Sequence, residues 1–155
     1  MFREFDKTID SLIRREIRHQ IKIYKNKSWF NRIKLLFTKN RLIKTIVKEN
    51  QIRFSKTWIN YNKNILEAIK TIPSQDYILI NISDLIKNSD QVFIRIQEWG
   101  FDLKHVPFKE VFDENLFSNA PFNKNLPIPE KIIKEAQEIE SMLFQNRTTH
   151  LLKAN

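Results

Sequence analysis

Cysteine is absent from the 155 residues. With it go disulfides, thiolate zinc sites, redox dithiols and cysteine nucleophiles. Glycine occurs once, as Gly100. A phosphate loop of the G-x-x-x-x-G-K-[ST] or G-x-G-x-x-G kind needs two glycines or more, so a self-sufficient Walker or Rossmann nucleotide site is excluded. Histidine is scarce as well. His19, His105 and His150 form no H-x-H or H-x-x-x-H pair, and no metal is expected. Charges interrupt every apolar stretch before it reaches the roughly 18 residues of a membrane span. Arg3, Glu4, Asp6 and Lys7 are not followed by an apolar run of the secretory kind, so the expected location is cytoplasmic.

What is present suits folding. Hydrophobic residues make up 41%, with twelve Phe and three Trp, enough apolar surface to argue against disorder and, at this length, for a single domain. The net charge of +9 is unevenly divided. Residues 1–72 hold 18 Lys/Arg and 6 Asp/Glu, a net +12, whereas 73–155 hold 9 and 12, a net −3. A basic half attracts anions, whether a phosphate-bearing cofactor, an acidic glycan, nucleic acid or anionic lipid, and charge alone does not choose among them. Lys25, Lys27, Lys39 and Lys63 read equally well as a solvated helix face.

Apolar spacing organises the first half. Ile9, Leu12, Ile13, Ile17, Ile21 and Tyr24 recur at three and four, predicting an amphipathic helix over 7–25 with Asp6 as N-cap and Asp10 near the positive end of the dipole. Trp29, Ile33, Leu36 and Phe37 continue the period. Thr38–Lys39–Asn40 reads as a break before Leu42, Ile43, Ile46 and Val47, giving a broken helical pair. Trp58, Tyr61, Ile65, Leu66 and Ile69 predict a third helix, which Pro73 and Ser74 end.

The pattern then changes. Tyr77–Ile82 is short, apolar and rich in Ile, and predicts a strand buried on both faces. Met1–Phe2 is its one candidate partner, so the expected fold class is α/β, helix-dominated, with a reduced parallel sheet. Ser89 is a candidate cap for a helix bearing Val92, Phe93, Ile96 and Trp99, with Gly100 as the residue past its end. Residues 101–122 read as irregular, and a last helix over about 129–145 carries Ile132, Ile133, Ala136, Ile139 and Leu143 on one face.

The opening Phe2–Arg3–Glu4–Phe5–Asp6–Lys7–Thr8–Ile9–Asp10–Ser11–Leu12–Ile13–Arg14–Arg15 resembles the 3′-phosphate-binding segment of P-loop-like sulfotransferases of the bacterial type. These enzymes use PAPS (3′-phosphoadenosine 5′-phosphosulfate). In that segment an Arg ends a strand and a Ser follows eight positions later on a helix, and Arg3 and Ser11 match them. A guanidinium fork binds phosphate bidentately and a hydroxyl near a helix start adds a donor to the same anion. Trp58-Ile59-Asn60-Tyr61-Asn62, the Tyr77–Leu85 strand and turn, the helix ending in Trp99–Gly100–Phe101 and the Phe108–Phe117 segment follow in the family's order. The resemblance covers about residues 2–118.

This resemblance implies one sulfotransferase-like domain over 1–155, an incomplete, C-terminal portion of the family's fold. Its parts are a 3′-phosphate-binding strand and helix at 1–25, a basic helical insertion at 26–56, a helix–strand–helix core at 57–118 and a C-terminal helix at 128–146. It implies PAPS or PAP (adenosine 3′,5′-bisphosphate) as nucleotide co-substrate, held by Arg3 and Ser11, and a hydroxyl acceptor on a glycan or lipid. The family's 5′-phosphosulfate loop and catalytic base precede the Arg, and no residue before Arg3 corresponds to them. The catalytic residues are thus unassigned, and the chain alone is expected to be inactive, with His105 and Asp113–Glu114 as the first places to look for a base.

Two further readings compete. One is a non-enzymatic basic helical module binding nucleic acid through residues 7–56, which explains the charge but not the order of the other landmarks. The other treats Trp29–Val47 as an interfacial helix on an anionic membrane, which the break at Thr38–Lys39–Asn40 opposes. On the plainest reading Trp29, Phe30, Leu36 and Phe37 are core, Trp58 and Tyr61 pack inward, and Glu135, Glu138 and Glu140 face solvent.

Overall fold

A 42-residue stretch without a single Gly or Pro, Trp29–Lys70, sets the architecture. The computed structural model describes residues 1–102, 104 and 128–148. Five helices occur in order: α1 (Phe5–Lys27), α2 (Trp29–Lys70), α3 (Ile82–Lys87), α4 (Ser89–Glu98) and α5 (Glu130–Gln145). The predicted break at Thr38–Lys39–Asn40 is absent, and α2 runs through it. The reason is local. Thr38 Oγ1 donates to the Lys34 carbonyl at 2.8 Å, and Thr45, Asn50, Ser55 and Thr57 likewise donate to the carbonyl four residues back. Polar side chains that compete with the helix elsewhere are here satisfied by it.

The described residues fall into two compact units. Of the described residues, the first comprises 1–4, 62–102, 104 and 138–148, the second 5–61 and 128–137.

In the first unit the expected parallel sheet is not formed. Tyr77–Ile82 is no strand, and no strand exists among the described residues; Phe2 and Asn81 make an isolated parallel bridge instead. The Phe2 N–H donates to the Ile80 carbonyl at 3.0 Å and the Ile82 N–H to the Phe2 carbonyl at 2.9 Å. Pairing stops there because Asn81 is diverted to capping: its Oδ1 accepts the Ser83 N–H at 2.8 Å and α3 begins at Ile82. The α/β, P-loop-like fold expected from the sequence is therefore corrected to a helical architecture. The apolar run is buried all the same, with Leu79 and Ile80 at 2% and 4% exposure. Phe144 of α5 packs edge-on against Phe2, with ring centroids 5.1 Å apart.

Thr148 closes this cluster. Its Oγ1 accepts the Leu79 N–H at 2.9 Å while its own N–H donates to the Leu79 carbonyl at 2.8 Å. Replacing it by Val keeps the shape and strands a buried N–H, so Thr148→Val is expected to cost about 1–3 kcal/mol in denaturant unfolding, against near zero for Thr148→Ser. Arg147 pairs with Asp84 at 3.1 Å. α4 has no side-chain cap: Asn88, not Ser89, precedes it. Gly100 takes φ +86° just past its end, the left-handed geometry that glycine tolerates, and donates to the Gln97 carbonyl at 2.8 Å.

In the second unit α1 and α2 form a helical hairpin turning at Ser28. Phe5 stacks edge-on against Trp58 at 5.3 Å, and Ile9 and Ile13 are buried beside them in sequence, at 0% and 3% exposure. α1 starts at Phe5, one residue ahead of the cap predicted for it, so Asp6 lies within the first turn. Burial pushes its carboxyl up from the ordinary value. Trp58 is core as predicted, whereas Tyr61 is 63% exposed and does not pack inward.

Candidate functional site

Arg3 follows the bridged Phe2 in the first unit, and its side chain is half-buried. Ser11 lies on α1 in the second unit and is also half-buried. His105, Asp113, Glu114 and the Phe108–Phe117 segment lie outside the described residues. Among the described residues no group of three or more His, Cys, Asp or Glu is placed to hold a metal ion. No described helix is long and apolar enough to cross a membrane.

The most distinctive surface is at the turn of the α1–α2 hairpin. Trp29, Phe30, Leu36 and Phe37 are 62%, 68%, 79% and 85% exposed, and Ile33 is 40% exposed. Trp29, Phe30, Leu36 and Phe37 are the positions read from sequence as core, and the structure corrects that reading. Leu35 and Ile46, at 5% and 4% exposure, are the residues of this stretch that pack inward. At about 100° per residue, Trp29, Phe30, Ile33, Leu36 and Phe37 share an arc of roughly 120°, and Leu35 and Ile46 lie on the far side. Two apolar faces thus exist on the same helix. One, with Leu35 and Ile46, is buried and the other is open to solvent. Trp29 and Phe30 rings lie 4.6 Å apart and tilted by 42°, forming one aromatic surface at its N-terminal end.

Cations border the open face on both sides. By the same rotation Lys34 and Arg41 fall along one edge and Arg32 and Lys39 along the other. All four are exposed. Their charge is uncompensated over a long stretch: between Glu16 and Glu49 the chain carries ten Lys/Arg and no carboxylate. None of the ten forms an ion pair among the described residues. Elsewhere the basic side chains do find acids, as in Arg14–Asp10 at 2.6 Å and Lys70–Glu67 at 2.7 Å.

A groove lies beside this face, between the end of α1 and the start of α2. It encloses about 490 Å3 and is lined by Lys25, Asn26, Arg32, Ile33, Leu35 and Leu36. Arg32 Nε donates to the Lys25 carbonyl at 2.8 Å, which fixes the guanidinium at the C-terminus of α1, where the helix leaves carbonyls unpaired and its dipole favours cations.

No protein-family model matches this chain, and neither curated proteins nor solved structures give a match. Sequence reasoning found the basic half and the helical period of this segment but assigned its aromatics to the wrong environment. The signal that marks the surface is in the sequence nonetheless, because α2 carries apolar residues on more than one face while its charges from Arg32 to Lys48 are all of one sign.

Proposed function

We propose that this protein is a basic helical module that docks on an anionic membrane surface through the open face of α2, Trp29 to Phe37. The observation that supports the reading is the exposure of Trp29, Phe30, Leu36 and Phe37 between two cationic edges. An interfacial helix has this form: aromatic and aliphatic side chains enter the headgroup–acyl boundary while flanking Lys and Arg meet the lipid phosphates. The continuity of α2 through Thr38–Lys39–Asn40 removes the sequence objection to it. Anionic lipid is abundant on the cytoplasmic leaflet, where each Lys or Arg near the surface contributes about 1 kcal/mol, and that is the location proposed for the protein. A duplex satisfies the charges but offers the apolar centre of the face no partner, and unpaired bases, which stack on aromatic rings, leave the exposed aliphatic Ile33 and Leu36 without one. Sedimentation with vesicles tests the reading: vesicles containing about a third phosphatidylserine should retain the protein and pure phosphatidylcholine vesicles should not. Retention by both equally, or by neither, overturns it.

A second reading draws on the family resemblance. Arg3 follows the residue of the isolated Phe2–Asn81 bridge, and the resemblance makes it the candidate ligand of the 3′-phosphate of PAP or PAPS. That group holds the far end of the donor and supplies nothing at sulfur, so sulfuryl transfer to a glycan or lipid hydroxyl is not expected from it alone. A charge-assisted phosphate contact contributes about 1.5–3 kcal/mol. PAP should therefore bind more than about tenfold tighter than AMP in calorimetric titration, and Arg3→Ala should erase the difference. Equal affinity for the two nucleotides defeats this reading.

A further inference from the structure

The groove at the hairpin turn has a composition that the open face does not explain. Ile33, Leu35 and Leu36 give it an apolar wall, and Lys25 and Arg32 bring two cations to it from different helices. Its volume of about 490 Å3 lies within the roughly 300–1,000 Å3 of small-molecule sites. Ile33 and Leu36 belong both to the groove and to the exposed face, so the two are continuous. A molecule held there must present apolar chain and negative headgroup together, since the wall has no carboxylate to meet a cation and little polar surface to satisfy an uncharged sugar or peptide.

We infer that the groove binds a single anionic phospholipid, with one acyl chain along Ile33, Leu35 and Leu36 and the phosphate between Lys25 and Arg32. The inference rests on the membrane reading of the adjoining face and gives it a lipid selectivity. The phosphate is recognised by the guanidinium, whose Nε is already fixed on the Lys25 carbonyl at 2.8 Å and whose terminal amino groups form the fork that suits two phosphate oxygens. Lys25 adds a flexible point charge from the last turn of α1. Fixing the guanidinium before the ligand arrives reduces the entropy lost on binding.

The test uses the full chain and a soluble probe, lysophosphatidic acid with a twelve-carbon chain kept below its micelle concentration, followed by calorimetry. Lysophosphatidylcholine of the same chain length is the control. Saturable 1:1 binding of the phosphatidic probe is expected, more than tenfold tighter than the choline probe. Arg32→Gln should weaken it at least tenfold, and Ile33→Trp, which fills the groove from a part-exposed position, should abolish it with the helical circular-dichroism signal unchanged. Equal affinity for the two probes, or binding unaltered in both variants, overturns the site. Because no bilayer is present, the outcome separates from the vesicle experiment. Retention on anionic vesicles without 1:1 lysolipid binding leaves the docking face standing and overturns the groove site. Lysolipid binding without vesicle retention does the reverse.

Discussion

Leu36→Glu combined with Phe37→Glu is expected to abolish retention on anionic vesicles, a fall of a hundredfold or more in partitioning, while thermal unfolding stays within a degree or two of the parent. The two halves of this expectation come from the same observation. Leu36 and Phe37 are 79% and 85% exposed, so they contribute almost nothing to the packing of the hairpin, and substitutions at such surface positions ordinarily change stability by about 0.5 kcal/mol or less. On a bilayer the same side chains lose contact with water. Burying a Leu or Phe side chain is favourable by about 1.5–3 kcal/mol, and half of that from each residue already amounts to more than tenfold. The introduced carboxylates add repulsion from the lipid phosphates, on the order of 1 kcal/mol per charge. Centrifugation of variant and parent with phosphatidylserine-containing vesicles reads the effect directly. Undiminished retention would show that charge alone drives binding, in which case affinity should instead fall steeply with salt and depend on the number of Lys/Arg rather than on these two positions.

The second large effect is in the core. Leu143 and Ile9 are both 0% exposed, one in each unit. Truncation of either to Ala loses transfer free energy and leaves a cavity, at a cost of about 2–5 kcal/mol. Against a total stability of about 5–15 kcal/mol that is a major fraction, and for a chain of this length each kcal/mol lowers Tm by about 2–4 °C. Leu143→Ala and Ile9→Ala should each lower Tm by roughly 5–20 °C in circular-dichroism melts, with Leu36→Ala as the exposed control showing no shift. A Leu143→Ala protein that melts with the parent would mean that Leu143 is not buried as described.

How much of this was legible in the residues differs from element to element. The 3.6-residue spacing of Ile9, Ile13 and Ile17, and of Ile132, Ala136, Ile139 and Leu143, is a local property, and α1 and α5 follow it. Gly100 past the end of α4 was legible for the same reason: a left-handed residue there requires no distant partner. The apparent break at residues 38–40 misled because Thr38 is satisfied by the Lys34 carbonyl within its own helix, an outcome that composition does not distinguish from a turn.

Two matters lay beyond the sequence. Whether Tyr77–Ile82 became a strand depended on how many residues elsewhere could pair with it, and among the described residues the one β-bridge to it is that of Phe2 with Asn81. Apolarity marked the segment as buried, which Leu79–Ile82 are, but packing beside Phe2 and Thr148 satisfies the same pattern without a sheet. The other matter was which apolar face of α2 is covered. Periodicity shows that Trp29, Ile33, Leu36 and Phe37 share a side of the helix, and it carries no information about what stands opposite them. Their exposure, and with it the candidate docking surface, was decided by tertiary packing, which buries Leu35 and Ile46 of α2 instead. A helix can turn only one face to a given neighbour. The sequence specified by itself the helices and the basic charge of the first half, whereas tertiary contact decided which of two apolar faces stayed in water.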